Sequence, residues 1–234
     1  MITIQDTQLK NYFTKEYNED ISFLLLPKNK DTLKTAKEFI LKAKDSNIKQ
    51  IIKIGSLGPW RLIHNQIDCF LKESDIPYTN FNIAPLMNHI FIEQYKNNTL
   101  FDYRNNSPAP YLDPKCLVGA IEQAVGNEKH YNKNYQCTGE LQYTIKDIEK
   151  ILNQNGYQVD KIENTTNNKI HNMTDDNHDF IMMSNIADNY QKGWYPPITD
   201  DIQTNFNFGI LSLVLIRRML FQNILTFHIT GTNL

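Results

Sequence analysis

Cysteine is scarce in this chain: three in 234 residues, Cys69, Cys116 and Cys137, widely separated and without a C-x-x-C pair. That usage suggests neither a zinc site nor a disulfide framework and fits a reduced cytoplasm. Charge of one sign is also lacking. The net charge is −2 and the isoelectric point lies near 6.3, with lysines scattered along helices, so there is no electrostatic footprint for nucleic acid. The first twenty residues are polar and charged, unlike a signal peptide. No G-x-S-x-G elbow occurs, which leaves any serine without the surroundings of a hydrolase nucleophile. Asp175, Asp176, His178 and Asp179 carry metal-capable atoms. They have neither a helical His-x-x-x-His spacing nor a calcium-loop glycine, and read as a solvated loop with no metal.

What is present centres on Gln50 to Asn82, which reads as strand, glycine turn, helix, strand. Gln50 to Ile54 is short and Ile-rich, as suits a strand of a parallel sheet covered on both faces. Gly55, Ser56 and Gly58 then end it. Ligands of open α/β sheets sit beyond the carboxyl ends of strands, so Ser56 is a candidate site residue; its other reading is a cap on the next helix. In that helix Leu62, Ile63, Ile67, Phe70 and Leu71 form one apolar stripe, leaving Arg61, Asn65, Asp68 and Lys72 toward water. His64 lies at the stripe's edge, either as a half-buried packing residue or as a catalyst.

Elsewhere, Asp6 to Asn18 reads as a short helix, Phe23 to Leu26 as a buried strand and Pro27 to Lys30 as a loop. Asp31 caps a helix whose Leu33, Ala36, Phe39, Ile40 and Ala43 face inward and which ends near Asn47. Pro85 to Tyr95 reads as a helix at the sheet's carboxyl edge, where Met87, His89, Phe91 and Tyr95 either line a substrate pocket or pack a lid or core. Asp113 followed by Pro114 fixes a helix start, Thr144 with Asp147 makes a capping box, and Gly156 ends that helix. Asn153 to Asn189, rich in Asn, Asp and Thr, reads as loops between small elements. Tyr157 and Lys161 have the Y-x-x-x-K spacing of a catalytic pair, but they follow Gly156 and lie outside the helix after the Ser-bearing strand.

The run IGSLG, the His and acidic residue of the next helix, and DIPYTNFNIAPLMNHI together resemble the NmrA-like family, atypical short-chain dehydrogenase/reductases. FLLLP, PYLDPKCLVGAI, YQCTGELQYTIKDIEKIL and GWYPPITDDI resemble further landmarks of that family in order, over about Phe13 to Gln203. The resemblance implies an α/β fold: a partial Rossmann-like parallel sheet with helices on both faces, plus a small α+β substrate lobe. It implies a partial NAD(P)-binding domain over 1–125, a substrate-lobe segment over 126–203 and an apolar tail over 204–234. It also implies an NAD(P)(H)-dependent oxidoreductase passing hydride to a small acceptor such as a quinone. Leu26 and Pro27 would face the nicotinamide ribose, Gly55, Ser56 and Leu57 would flank the ring, and Asn82 would close the wall. Asn82 and Ile83 stand where the family often has Arg-Pro, and Cys116 where it usually has a second Asp. Ser56 would orient a substrate carbonyl, His64 would assist proton supply, and Met87, His89 and Phe91 would bind the substrate.

Against the family pattern, Met1 to Asp20 holds no glycine, so no glycine turn there brings backbone and a helix N-terminus to a pyrophosphate. The expectation is a truncated form with impaired cofactor binding. Its alternative is a non-catalytic remnant or a nucleotide-sensing or interaction protein of the same fold, self-associating through an exposed sheet edge. The tail from Thr204 is apolar around Arg217 and Arg218. It reads as a buried helix or strand pair, as sequence from a shifted frame, or as a poor membrane span, since central arginines each cost ~3 kcal/mol on insertion. No membrane or nucleic-acid partner is expected.

Overall fold

Four parallel strands carry the molecule in a computed structural model that describes residues 20–25, 31–57, 61–90, 94–164, 189 and 196–207. They are β1 (Ile21–Leu25), β2 (Gln50–Ser56), β3 (Tyr78–Ile83) and β7 (Lys133–Cys137), side by side in the order β1-β2-β3-β7. Helix α1 (Thr32–Asp45) links β1 to β2, and α2 (Arg61–Glu73) links β2 to β3. Parallel neighbours require such crossovers, and the hydrophobic strands require cover on both faces.

Both covers are present. On one face Phe23, Ile52, Ile54, Phe81 and Tyr135 pack with Leu117, Ala120 and Ile121 of α3 (Pro114–Ala124) and with Ile202 and Phe206 of α5 (Asp201–Phe206). On the other, Leu24, Ile51 and Tyr78 pack with Ala36 and Ile40 of α1 and with Ile67 and Leu71 of α2. Gln50, fully buried at the start of β2, donates to Thr79 Oγ1 and Ala124 O and accepts from the Gly126 amide, tying the sheet to the end of α3. Among the described residues β1 pairs with β2 alone, so it stands at the sheet's edge.

A smaller α+β group sits beside this sheet. Strands β4 (Tyr95–Lys96), β5 (Thr99–Asp102) and β9 (Lys161–Asn164) form one sheet, β6 (Ala109–Pro110) and β8 (Gln142–Tyr143) another, and α4 (Ile145–Gln154) packs on both through Ile145, Ile148 and Leu152. The chain from β7 to β8 passes so close to Tyr111 that a Cβ on Gly139 would lie 2.1 Å from the Tyr111 carbonyl oxygen.

Several local expectations hold. Asp113 accepts from the Lys115 amide with Pro114 beginning α3, Thr144 and Asp147 form the reciprocal capping box of α4, and Gly156 follows that helix at φ 86°. Others are corrected. β1, described over Ile21–Leu25, begins at Ile21 rather than Phe23, and Leu26 lies outside the described residues. Asp31 precedes α1 but its side chain makes no cap bond. β2 does not stop at Ile54: Gly55 and Ser56 remain in register, opposite Asn82 and Ile83, and the strand ends at Ser56, beyond which the Leu57 amide still donates to Ile83 O. The segment 58–60 between Ser56 and the described part of α2 lies outside the described residues, so the capping reading of Ser56 falls there. The helix read over Pro85 to Tyr95 is shorter: Leu86 is held in a parallel bridge to Leu112 and Tyr95 begins β4, while His89, Ile90 and Gln94 have helical backbone. Within the stretch read as loops between small elements lies β9, in which Lys161 pairs with Glu163. The helix read over Asp6 to Asn18, the loop Pro27 to Lys30, the acidic cluster at 175–179 and the tail beyond Asn207 lie outside the described residues.

Candidate active site

The carboxyl ends of β2 and β3 bring together most of the described residues singled out from the sequence. Side chains alternate along a strand, so Lys53 and Gly55 of β2 and Asn80 and Asn82 of β3 share the face beneath α2. An ideal Cβ built on Gly55 would lie 2.6 Å from Asn82 Oδ1, 3.2 Å from Lys53 Nζ and 3.3 Å from His64 Nδ1. Three polar groups from three elements thus converge on one residue that has no side chain.

His64 is buried in the first turns of α2, and its Nδ1 has no hydrogen-bond partner among the described residues. Burial first, and the nearby Lys53 cation second, hold its pKa down at about 3. At neutral pH the ring is uncharged, so the imidazolium that proton supply would draw on is not the resting form.

Asp68 departs from the solvent-facing position that the helical wheel assigns it. Its Oδ1 lies 2.5 Å from Lys53 Nζ and accepts from Asn80 Nδ2 at 2.9 Å, and Asn80 Nδ2 also donates to Asn134 Oδ1 of β7. Lys53 is entirely sealed from solvent. Burial lowers its pKa, against which the Asp68 carboxylate and its hydrogen bond work. The available sequence signals were a single lysine inside an isoleucine strand and a carboxylate one helical turn after His64.

The remaining candidates distribute unevenly. Ser56 is half-buried and lies on the face opposite Gly55 and His64, in register with Ile83. Leu57 follows, bonded to the end of β3. Met87 is buried in the core of the smaller α+β group with Ile90, Leu100 and Tyr111, while His89 is half-buried in the turn closed by its amide on Leu86 O. Leu26, Pro27 and Phe91 lie outside the described residues. Among the described residues no group of three His, Cys, Asp or Glu side chains could hold a metal, and no helix is long and apolar enough to cross a membrane. Cys69 is exposed, and Cys116 and Cys137 are buried free thiols.

The sequence matches no protein-family model and no curated protein. Among solved structures the chain is similar to the triphenylmethane reductase of Citrobacter sp. complexed with NADP(H), at TM-score 0.70 and 15% identity over 90% of this chain and 78% of that one. It is similar to a nucleoside-diphosphate-sugar epimerase from Staphylococcus aureus, at TM-score 0.71 and 15% identity over 92% and 80%. It is also similar to an NADPH-dependent quinone oxidoreductase of Escherichia coli complexed with NADPH, at TM-score 0.70 and 13% identity over 86% and 76%. These likenesses and the parallel sheet define an α/β protein of the Rossmann-like class, as the sequence led us to expect.

Proposed function

We propose that this chain is an NAD(P)(H)-dependent oxidoreductase that passes hydride to a small-molecule acceptor such as a quinone. The observation that carries the reading is the convergence of Gly55, Asn82 and His64 at the carboxyl ends of two central parallel strands, where ligands of such sheets sit. What supports the reading is bonding capacity: the His64 Nδ1 and Asn80 Oδ1 are buried polar atoms without a partner among the described residues, while Asn82, Lys53 and His64 already crowd the point over Gly55, so a ring would have to lie beyond them at the strand ends.

In this reading Gly55, Ser56, Leu57 and Asn82 would hold the ring, with Leu26 and Pro27 toward the ribose. The cofactor, when bound, supplies the hydride chemistry, and the protein positions the reactants and excludes water. Ser56 and His64 lie on opposite faces of β2, so they would meet one acceptor oxygen only beyond the strand's end, where Ser56 would orient it through its hydroxyl. His64, uncharged, polarises that oxygen by hydrogen bonding, as a neutral imidazole of depressed pKa can. Met87, His89 and Phe91 would line the acceptor's side, although Met87 is buried in the smaller core and Phe91 lies outside the described residues.

The test is a calorimetric titration of the chain with NADPH and NADH, followed by turnover of a quinone. Micromolar binding, with turnover reduced ~10²-fold in His64→Ala as for loss of one oxyanion-stabilising donor, is the expected result. Absence of binding to either nucleotide overturns the proposal and leaves a non-catalytic protein of the same fold.

A further inference from the structure

The ion pair between Lys53 and Asp68 is not explained by holding the fold together. Lys53 sits in register with Leu24 and Asn80, with the apolar Ile51 and Tyr78 below it on the same face, and it is the one charged side chain of β2. Two well-packed apolar side chains at 53 and 68 would bind β2 to α2 without taking charges out of water, and such replacements are often neutral or stabilising. A cation there does something that an apolar residue does not: it acts on the ring beside it.

We propose that Lys53, anchored by Asp68, is a positioning residue for His64, holding that ring beside Gly55 as a hydrogen-bonding group and not as an acid. This rests on the reading above that His64 serves the site.

Geometry supplies the coupling. His64 and Asp68 are four residues apart on α2 and so share a face. The carboxylate holds the ammonium at 2.5 Å, while the ammonium and His64 Nδ1 flank the same point over Gly55, at 3.2 and 3.3 Å. Asn80 and Asn134 brace the carboxylate from β3 and β7, so the cation has a fixed place rather than a range of rotamers. The groups facing His64 are few. From β2 it is Lys53; from β3 the neighbours Asn80 and Asn82 are uncharged; on α2 itself Asp68 is engaged by Lys53. Among the described residues Lys53 is the charge that bears on the ring, second to burial, and its sign opposes protonation.

Nuclear magnetic resonance of the full chain with labelled histidine tests this without reference to turnover. The His64 signal is assigned by its absence in His64→Gln, and its protonated fraction is read between pH 7 and 5. Two double variants remove the charge: Lys53→Met with Asp68→Leu, which is apolar, and Lys53→Gln with Asp68→Asn, which keeps a hydrogen bond. In whichever of them folds, loss of the cation raises the midpoint by about 1 pH unit, within the range a neighbouring charge produces. The protonated fraction of His64 at pH 5 then rises about tenfold over wild type, and Lys53→Arg, which keeps the charge, stays at the wild-type value. A protonated fraction unchanged in the charge-free variants overturns the proposal, because burial alone would then account for the neutral ring. Failure of the cofactor titration would instead overturn the oxidoreductase reading and leave this measurement standing.

Discussion

The two faces of the β2–β3 pair are built from the same strands and closed in opposite ways. Ile52, Ile54 and Phe81 turn to the α3 side, where the Phe81 ring lies 5.7 Å from Tyr135 and 5.8 Å from Phe206. Lys53, Gly55, Asn80 and Asn82 turn to the α2 side, where an ion pair, two amides and an imidazole fill the space. Dispersion and hydrophobic burial are non-directional, so the first face specifies a volume and little else. Hydrogen bonds and ion pairs fix distance and angle, so the second specifies where individual atoms stand. Polarity on the α2 side is confined to the carboxyl half, because lower down Ile51, Ile67 and Leu71 restore an apolar contact. Directional groups are spent where a ligand of this fold would lie.

The largest effects should come from breaking each face once. Phe81→Ala opens a cavity and should cost ~3–5 kcal/mol in urea unfolding at pH 7. Asp68→Ala should cost ~3 kcal/mol, since it leaves the Lys53 ammonium buried without its carboxylate. The mechanisms separate with pH. Burial holds Lys53 below its ordinary value, so at alkaline pH the unfolded chain binds more protons than the folded one, and stability gains as pH rises. Removing Asp68 lowers Lys53 further and starts that gain at lower pH. Between pH 7 and 9.5, Asp68→Ala should therefore recover part of its deficit relative to wild type, while Phe81→Ala should not. Parallel curves for the two variants would mean that Lys53 carries no buried charge.

A smaller effect belongs to His64. With a folded value of about 3 and an ordinary unfolded one of 6.5, the unfolded chain takes up protons first as pH falls. Stability is fully present above pH 6.5 and is lost progressively toward pH 3. The loss attributable to this ring should reach about 2 kcal/mol by pH 5. Burial also lowers the pKa of His130, so the acid limb has other contributors. The measurement is the difference between wild type and His64→Gln, which should narrow by that amount from pH 7 to pH 5.

This comparison also shows what a sequence can and cannot disclose. The caps at Asp113 and Thr144 were legible because a cap is local: acceptor and amide lie within three residues. The strand and helix order was legible from apolar spacing. The polar face was not. A helical wheel gives the angle at which Asp68 leaves α2, but not that Lys53, fifteen residues earlier, waits opposite it. That juxtaposition is made by the right-handed β-α-β crossover. Gly55 and Ser56 were read as a turn because glycine commonly ends strands; in the fold Gly55 stays in β2 because a close approach of side chains, not a turn, requires it.

Gly55→Ala should have the smallest effect on stability and the sharpest bearing on the contrast between faces. Its backbone does not occupy the left-handed region, so alanine meets no conformational penalty there. Its Cβ would meet the ends of three side chains and no backbone atom, the nearest being Asn82 Oδ1 at 2.6 Å. Asn82 is half-buried and has room to rotate its amide away, so unfolding should lose only ~1–2 kcal/mol, the low range for overpacking. Yet the methyl would occupy the gap that His64 Nδ1 borders, and the histidine resonance should shift although the fold is intact. A loss well above 3 kcal/mol would show that Asn82 cannot turn. The polar face would then be as tightly interlocked as the apolar one, and its hydrogen bonds would specify volume as well as direction.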